Sequence, residues 1–294
     1  MEINLTNWLT WLPFDRFRSP RPVVAVIRLS GVIGQGGRFQ QGLNIHALGS
    51  SLETAFKTSG LTAVALAINS PGGAPAQSNL IYARIRALAA EKEMPVLAFA
   101  EDVAASGGYW LACAADEIYA DVNSIVGSIG VVSAGFGFQD MLEKVGVERR
   151  IHAQGDRKAM LDPFEPERES DVKRLLAIQK NIHDNFKNLV RERRGERVKI
   201  SDRKLFSGDI WTGREALDAG LIDGLGEMRE ILHQKYGDDV KIREVGRKSS
   251  FLKRLIGRGS ASAPDLNFEN PLGNLPGQLL TAIEDRAFWS RFGL

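Results

Sequence analysis

Three apolar runs of strand length recur along the first half of this chain, and each gives way to a glycine-bearing stretch and then a helix. Val23-Val24-Ala25-Val26-Ile27, Ala63 to Asn69 and Val96 to Ala100 show no alternation of apolar and polar residues. A strand that is apolar on both faces is covered on both faces, the situation of parallel sheets in α/β proteins. Between these runs, Ile45 to Thr58 reads as a helix, and Pro75 to Glu91 as a second with proline in its first turn. Ser106 to Ala115 follows as a helix and Glu117 to Ala120 as a short strand. Strands alternating with helices predict a parallel, right-handed α/β architecture whose functional loops leave the carboxyl ends of strands.

Later segments read as helix and docking surface. Glu167 to Arg194 carries apolar residues near helical spacing, with Gly195 as a stop, and Thr212-Gly213-Arg214-Glu215 matches a capping box for a helix ending near Gly220. With 294 residues, 44% hydrophobic and 25% charged, the chain has material for one sizeable core with decorated ends. The divisions expected are an amphipathic arm over 1–21, a main domain over 22–246 and a C-terminal linker and docking segment over 247–294. Both ends mix aromatic and basic residues suited to a partner subunit or to peripheral contact with a membrane.

Some function classes are excluded. A net charge of +2, without an aromatic-basic signature, leaves no case for nucleic acid. The single cysteine, Cys113, forms no internal disulfide and reads as a small buried hydrophobe. No stretch approaches the roughly 20 apolar residues of a spanning helix, and no secretory signal opens the chain. The expected compartment is the cytoplasm, with peripheral membrane contact through the termini as its variant.

Two glycine-rich loops, Ser70-Pro71-Gly72-Gly73 and Ser106-Gly107-Gly108, occupy ends of predicted strands. Ser106 sits between strand and helix, the geometry of an exposed nucleophile whose neighbouring N–H groups hold an oxyanion. A serine hydroxyl needs a base. The histidines are His46, His152, His183 and His233, none within a triad motif; His183 and His233 read as solvent-facing, and His152 lies near a polar loop that also carries Lys158. A desolvated lysine also serves as a base. From the residues alone, that choice stays open.

A resemblance narrows it. Ser70-Pro71-Gly72-Gly73, Ala105-Ser106-Gly107-Gly108-Tyr109, Val126-Gly127-Ser128-Ile129-Gly130-Val131, Gly155 to Lys158 with Asp162-Pro163-Phe164, and Thr212 to Ala216 with Gly220-Leu221-Ile222-Asp223 resemble, in order, the motifs of the signal peptide peptidase A family of serine peptidases. The resemblance runs from about Val23 to Gly226. It implies a Clp protease/crotonase-like α/β fold, a ββα superhelix forming a single catalytic domain with terminal extensions. It further implies Ser106 as nucleophile, Lys158 as general base, Ser128 as the hydroxyl orienting that lysine, Gly73 and Gly107 as backbone donors of the oxyanion hole, and Gly72 beside the substrate. No metal or cofactor is implied. The implied partners are peptide substrates, such as signal-peptide remnants or unfolded segments, and further copies of the chain in a ring-like homo-oligomer, where short members join serine and lysine from adjacent subunits. The chain departs from the best-known members in showing neither an N-terminal anchor nor a tandem repeat. The alternatives are a non-catalytic peptide-binding or membrane-associated scaffold and a crotonase-type acyl-CoA enzyme. A Clp-like Ser-His-Asp site is disfavoured because Ser128 to Ser133 contains no histidine.

Overall fold

The β-strands run parallel with one exception. In the computed structural model, which describes residues 21–34, 42–246, 286 and 289–293, the strands are β1 (Val23–Ser30), β2 (Leu61–Ser70), β3 (Val96–Ala105), β4 (Glu117–Ala120), β5 (Ile125–Gly127), β6 (Ile210–Thr212), β7 (Gly224–Leu225) and β8 (Lys241–Val245). The helices are α1 (Ile45–Phe56), α2 (Pro75–Lys92), α3 (Gly107–Ala112), α4 (Gln139–Lys144), α5 (Glu169–Arg194), α6 (Asp202–Leu205), α7 (Gly213–Ala219) and α8 (Met228–Tyr236). The sheet order is β6-β5-β3-β2-β1-β8, with β4 paired to β3 and β7. Only β6 runs antiparallel, against β5. The expected α/β class therefore holds, while uniform parallelism fails at this edge.

The apolar runs do become strands buried on both faces. Ile27, Leu29, Leu66 and Ile68 point into the larger core, which also takes in α1, α2, α3 and the C-terminal half of α5. Ala63, Ala65 and Ala67 face the other way with Val24 and Val26, and their small side chains bring Ile231 and Leu232 of α8 close to the sheet. Helix ends follow the local chemistry. Thr212 and Glu215 form the capping box, and Gly220 closes α7 in the left-handed conformation.

One irregularity organises the centre of the sheet. Ile68 pairs with Ala100, but Ser70 pairs with Ala104, so β3 contains two more residues than β2 over this stretch. The near half of β3 pairs with β4 and the far half with β5. Asn69 satisfies one flank of the bulge: its Nδ2 donates to the Asp102 carboxylate (2.6 Å) and its Oδ1 accepts from the Val103 N–H (3.3 Å). Buried Ser124 satisfies the other, its hydroxyl lying 3.2 Å from the Ala100 carbonyl and 2.5 Å from that of Glu101.

The Gly220-Leu221-Ile222-Asp223 stretch has a structural task. Buried Arg194, at the end of α5, donates to the Gly220 carbonyl (3.0 Å) and to Asp223 (2.7 and 3.1 Å). Asp223 also accepts from the Ile118 N–H (2.8 Å) and from Arg197 (3.1 Å). These bonds pin the long helix to β4 and the start of β7. Burial alone would raise the Asp223 carboxyl, but Arg194, the Ile118 N–H and Arg197 together outweigh it and the net shift is downward.

The N-terminal arm, apart from Arg21, and most of 247–294 lie outside the described residues. Cys113 is buried, and burial pushes its thiol up to about 12, as an unreactive core cysteine requires.

Removing the carboxylate of Asp223 leaves a buried guanidinium without its counter-charge. Asp223→Ala is therefore expected to destabilise the fold by about 3–5 kcal/mol in urea unfolding, and the double variant with Arg194→Met to recover much of that loss. Because the folded-state pKa of Asp223 is depressed, its contribution is complete above the ordinary aspartate value of 3.8 and is lost as pH falls through the lower folded value. Acid titration of stability in wild type and Asp223→Ala measures this difference.

Candidate active site

Ser106 occupies the turn between β3 and α3 with φ 52° and ψ −119°. A β-carbon makes this region costly, so surrounding contacts must hold the residue there. They do so from both sides. The Ser106 N–H donates to the Gly127 carbonyl of β5 (2.7 Å), and its own carbonyl accepts from the Trp110 N–H of α3 (3.0 Å). Ser106 is half-buried, whereas Ala105 and Gly107 to Trp110 are buried.

The Ser70–Gly73 loop lies against this elbow. A Cβ on Gly72 would stand 2.8 Å from that of Ser106 and 2.9 Å from the Gly107 nitrogen. At Gly73, with φ +140°, it would stand 2.1 Å from the Ile33 carbonyl oxygen. The loop is fixed from behind: the Ile33 N–H donates to Gly72 O (2.8 Å), the Ala74 N–H to Ile33 O (2.7 Å), and the Ser70 hydroxyl to Gly31 O (2.7 Å). Only a chain without side chains at 72 and 73 passes between Ile33 and Ser106. The Gly107 N–H opens α3 and has no intrahelical partner. Neither it nor the Gly73 N–H is engaged by an acceptor among the described residues.

Ser128 reaches the same place from the next strand. Ala105 pairs with Gly127 as the last register pair of β3 and β5, so Ser106 and Ser128 are the residues immediately beyond it. Ser128 is buried, also has positive φ (53°), and donates its N–H to Asp209 O (2.7 Å). Its hydroxyl has no hydrogen-bond partner among the described residues. The Trp211 ring backs Gly127 so closely that a Cβ there would lie 2.4 Å from it. Ile33, Asp209 and Trp211 are thus supports that sequence reading missed.

Lys158 is placed differently. It is exposed in a turn, its N–H donating to Gly155 O (3.0 Å), and its ammonium forms no hydrogen bond or ion pair among the described residues. Among the described residues, the side-chain hydrogen bonds, ion pairs and ring contacts of its segment, 131–168, stay within that segment: Arg149 pairs with Asp162 and lies over Phe164, and Phe138 contacts Phe164. The fold therefore gathers Ser106, Ser128, Gly72, Gly73 and Gly107, but does not bond Lys158 to them. His152 is also exposed. The solvent-facing expectation for His183 is corrected: it is half-buried, with Nε2 3.2 Å from the Ile129 carbonyl, and burial together with Lys187 lowers its pKa.

The family model of peptidase family S49 matches residues 89–241, more than half of the chain and including the serine elbow. The chain belongs to peptidase family S49. A Brucella abortus protein named Na(+)/H(+) antiporter NhaA is 47% identical over 299 residues, an alignment taking in 100% of this chain and 40% of that protein. The Arabidopsis thaliana protein named Serine protease SPPA, chloroplastic, is 30% identical over 252 residues, 84% of this chain and 36% of that one. The chain thus spans well under half the length of these two relatives. A solved structure of a membrane-bound stomatin-specific protease in complex with a substrate peptide has a TM-score of 0.48 at 17% identity, covering 81% of this chain and 97% of that one. The resemblance to the signal peptide peptidase A family, drawn from motif order, holds within S49.

Backbone space separates the glycines of this S49 chain into two kinds. Gly73→Ala puts a Cβ against Ile33 O, whereas Gly155→Ala, at φ +99°, meets open space. Both incur conformational strain of about 1 kcal/mol or more, but only Gly73→Ala must also displace backbone. Thermal melts are expected to show a clearly larger loss for Gly73→Ala; equal losses would refute the packing described for the loop.

Proposed function

We propose that this protein is a serine endopeptidase in which Ser106 attacks a peptide carbonyl, Lys158 takes its proton, and the Gly73 and Gly107 N–H groups hold the oxyanion. The observation that carries the reading is the strained Ser106 elbow pressed against the Gly72-Gly73 loop, with two unengaged backbone donors beside it. The serine oxygen bonds to the carbonyl carbon, and the amine leaves with the proton that the lysine accepted. Water, deprotonated by the same lysine, then releases the acyl group and restores the serine. Ser128 orients the lysine amine through its unpartnered hydroxyl. An extended peptide pairs beside Gly72, with small or apolar side chains next to the scissile bond.

The base comes from a neighbouring copy in this proposal. An ammonium exposed to water is poorly suited to accept a proton at neutral pH, and burial is what makes it a base. The segment that carries Lys158 also exposes Val132, Phe136, Met141, Val145 and Val147, with Phe136 at 80%. A second copy covering these side chains would dry the lysine and bring it to the serine. No helix among the described residues is long and apolar enough to cross a membrane. The name of the Brucella relative, which aligns with all of this chain, supports action beside a membrane protein; the cytoplasmic side is part of this proposal.

An alkyl fluorophosphonate followed by intact-mass analysis tests the reading. A single adduct is expected on wild type and none on Ser106→Ala or Lys158→Ala, with turnover of each variant reduced by about 10⁴-fold or more. Mixed oligomers of the two inactive variants are expected to regain part of the activity. Absence of an adduct on folded, oligomeric wild type would overturn the peptidase reading and leave the scaffold; absence of recovery from verified mixed oligomers would overturn the shared site alone.

A further inference from the structure

The bulge in β3 opens a cavity of about 420 Å³ on the α8 side of the sheet, away from α1 and α2. Its floor is apolar, from Ala67, Phe99, Ile125 and Met228, and its rim carries Glu101, Asp102, Asp121 and Glu227. Of these four carboxylates only Glu101 has a cationic partner among the described residues, Arg28 at 2.6 Å. Among the described residues, the lining contains no lysine or arginine. An apolar floor under a negative rim selects an aromatic group flanked by positive charge.

The chain supplies such a group from its far end. Phe292, more than sixty residues beyond Met228, lines the cavity. Trp289 and Phe292, one helical turn apart, are half-buried, whereas Arg286, Arg291 and Gly293 are exposed. Phe292 thus lies against the domain, in a terminal stretch that also carries the exposed Arg286 and Arg291. We propose that this cavity is a docking site for the protein's own C-terminal segment, with Phe292 as the anchor. Covalent connection makes the docking intramolecular, so modest intrinsic affinity suffices to keep the site filled. The site adjoins Glu101 and Asp102 of the β3 bulge and Ser124 of the turn before β5, so the docked segment braces the strands that end in Ser106 and Ser128 from the face opposite the large core. It does not depend on the serine chemistry.

Cross-linking in the full chain tests the docking, because the native Cys113 is buried and unreactive. Ser290→Cys, which leaves the Phe292 anchor in place, is combined either with Asn123→Cys on the cavity rim or with Lys57→Cys at the end of α1, and each variant is treated with a short bis-maleimide after its melt confirms folding. The rim pair is expected to give an intramolecular cross-link in several-fold higher yield than the α1 pair. Excess synthetic peptide of residues 286–294, but not a scrambled version, is expected to reduce that yield several-fold. Equal yields from the two pairs, or a yield unmoved by the peptide, would overturn the proposal. A cross-link found only between two chains would overturn docking within one chain and assign the cavity to the tail of a second copy.

Discussion

The two extra residues of β3, and the polar side chains that accommodate them, set the geometry on which the rest of the molecule depends. A bulge frees backbone groups that burial would make costly, so it persists only where partners are supplied. Asn69 supplies them from β2 and Ser124 from the turn between β4 and β5. Both neighbours of β3 are shaped to the same defect. The consequence is that β4 and β5 succeed each other along one edge of β3, and that β3 and β5 end together at Ala105 and Gly127. Two serines on separate strands are thereby brought to one corner of the sheet.

Strain at that corner is held by close packing at glycines, against backbone and side chains alike. Ser106 and Ser128 both have positive φ, yet each N–H is tied to a carbonyl across the gap, Gly127 O and Asp209 O. Gly72, Gly107 and Gly127 let backbone and ring approach within distances that a Cβ would forbid. A site built this way leaves the Gly73 and Gly107 N–H groups without an acceptor among the described residues, as an oxyanion hole requires. It also explains why glycine follows Ser106 at 107 and 108, precedes Ser128 at 127 and recurs at 72 in the facing loop.

Much of this was legible in the sequence because the signals are local. Unbroken apolar runs gave β1, β2 and the first half of β3; Pro75, the Thr212–Glu215 capping box, Gly195 and Gly220 marked helix ends; and Ser106 between a strand and two glycines marked the elbow. The continuation of β3 through Glu101-Asp102 was hidden because a bulge breaks the apolar pattern while the strand goes on. β5 and β6, with three residues each, are too short for periodicity to register, and β8, Lys-Ile-Arg-Glu-Val, has the charged pattern of an exposed edge. The supports of the site were also hidden, since Ile33, Asp209 and the Ile129 carbonyl that meets His183 act through backbone atoms far away in sequence. Order of motifs, by contrast, carried the family, and S49 membership bore that out.

The segment carrying Lys158 ties the proposed chemistry to assembly through one physical term. Large apolar side chains at 66% and 80% exposure, Val132 and Phe136, are side chains that gain from being covered. Covering them excludes water from the same surface, and exclusion of water is what disfavours a charged ammonium. The free energy that would hold two copies together would therefore also shift the lysine toward its neutral form. Under this mechanism a lone chain holds a formed serine elbow with no base, a safe state for a peptidase, and activation requires no rearrangement of the sheet. The strain at Ser106 and the glycine contacts are already in place; what assembly would add is a dry environment and one amine.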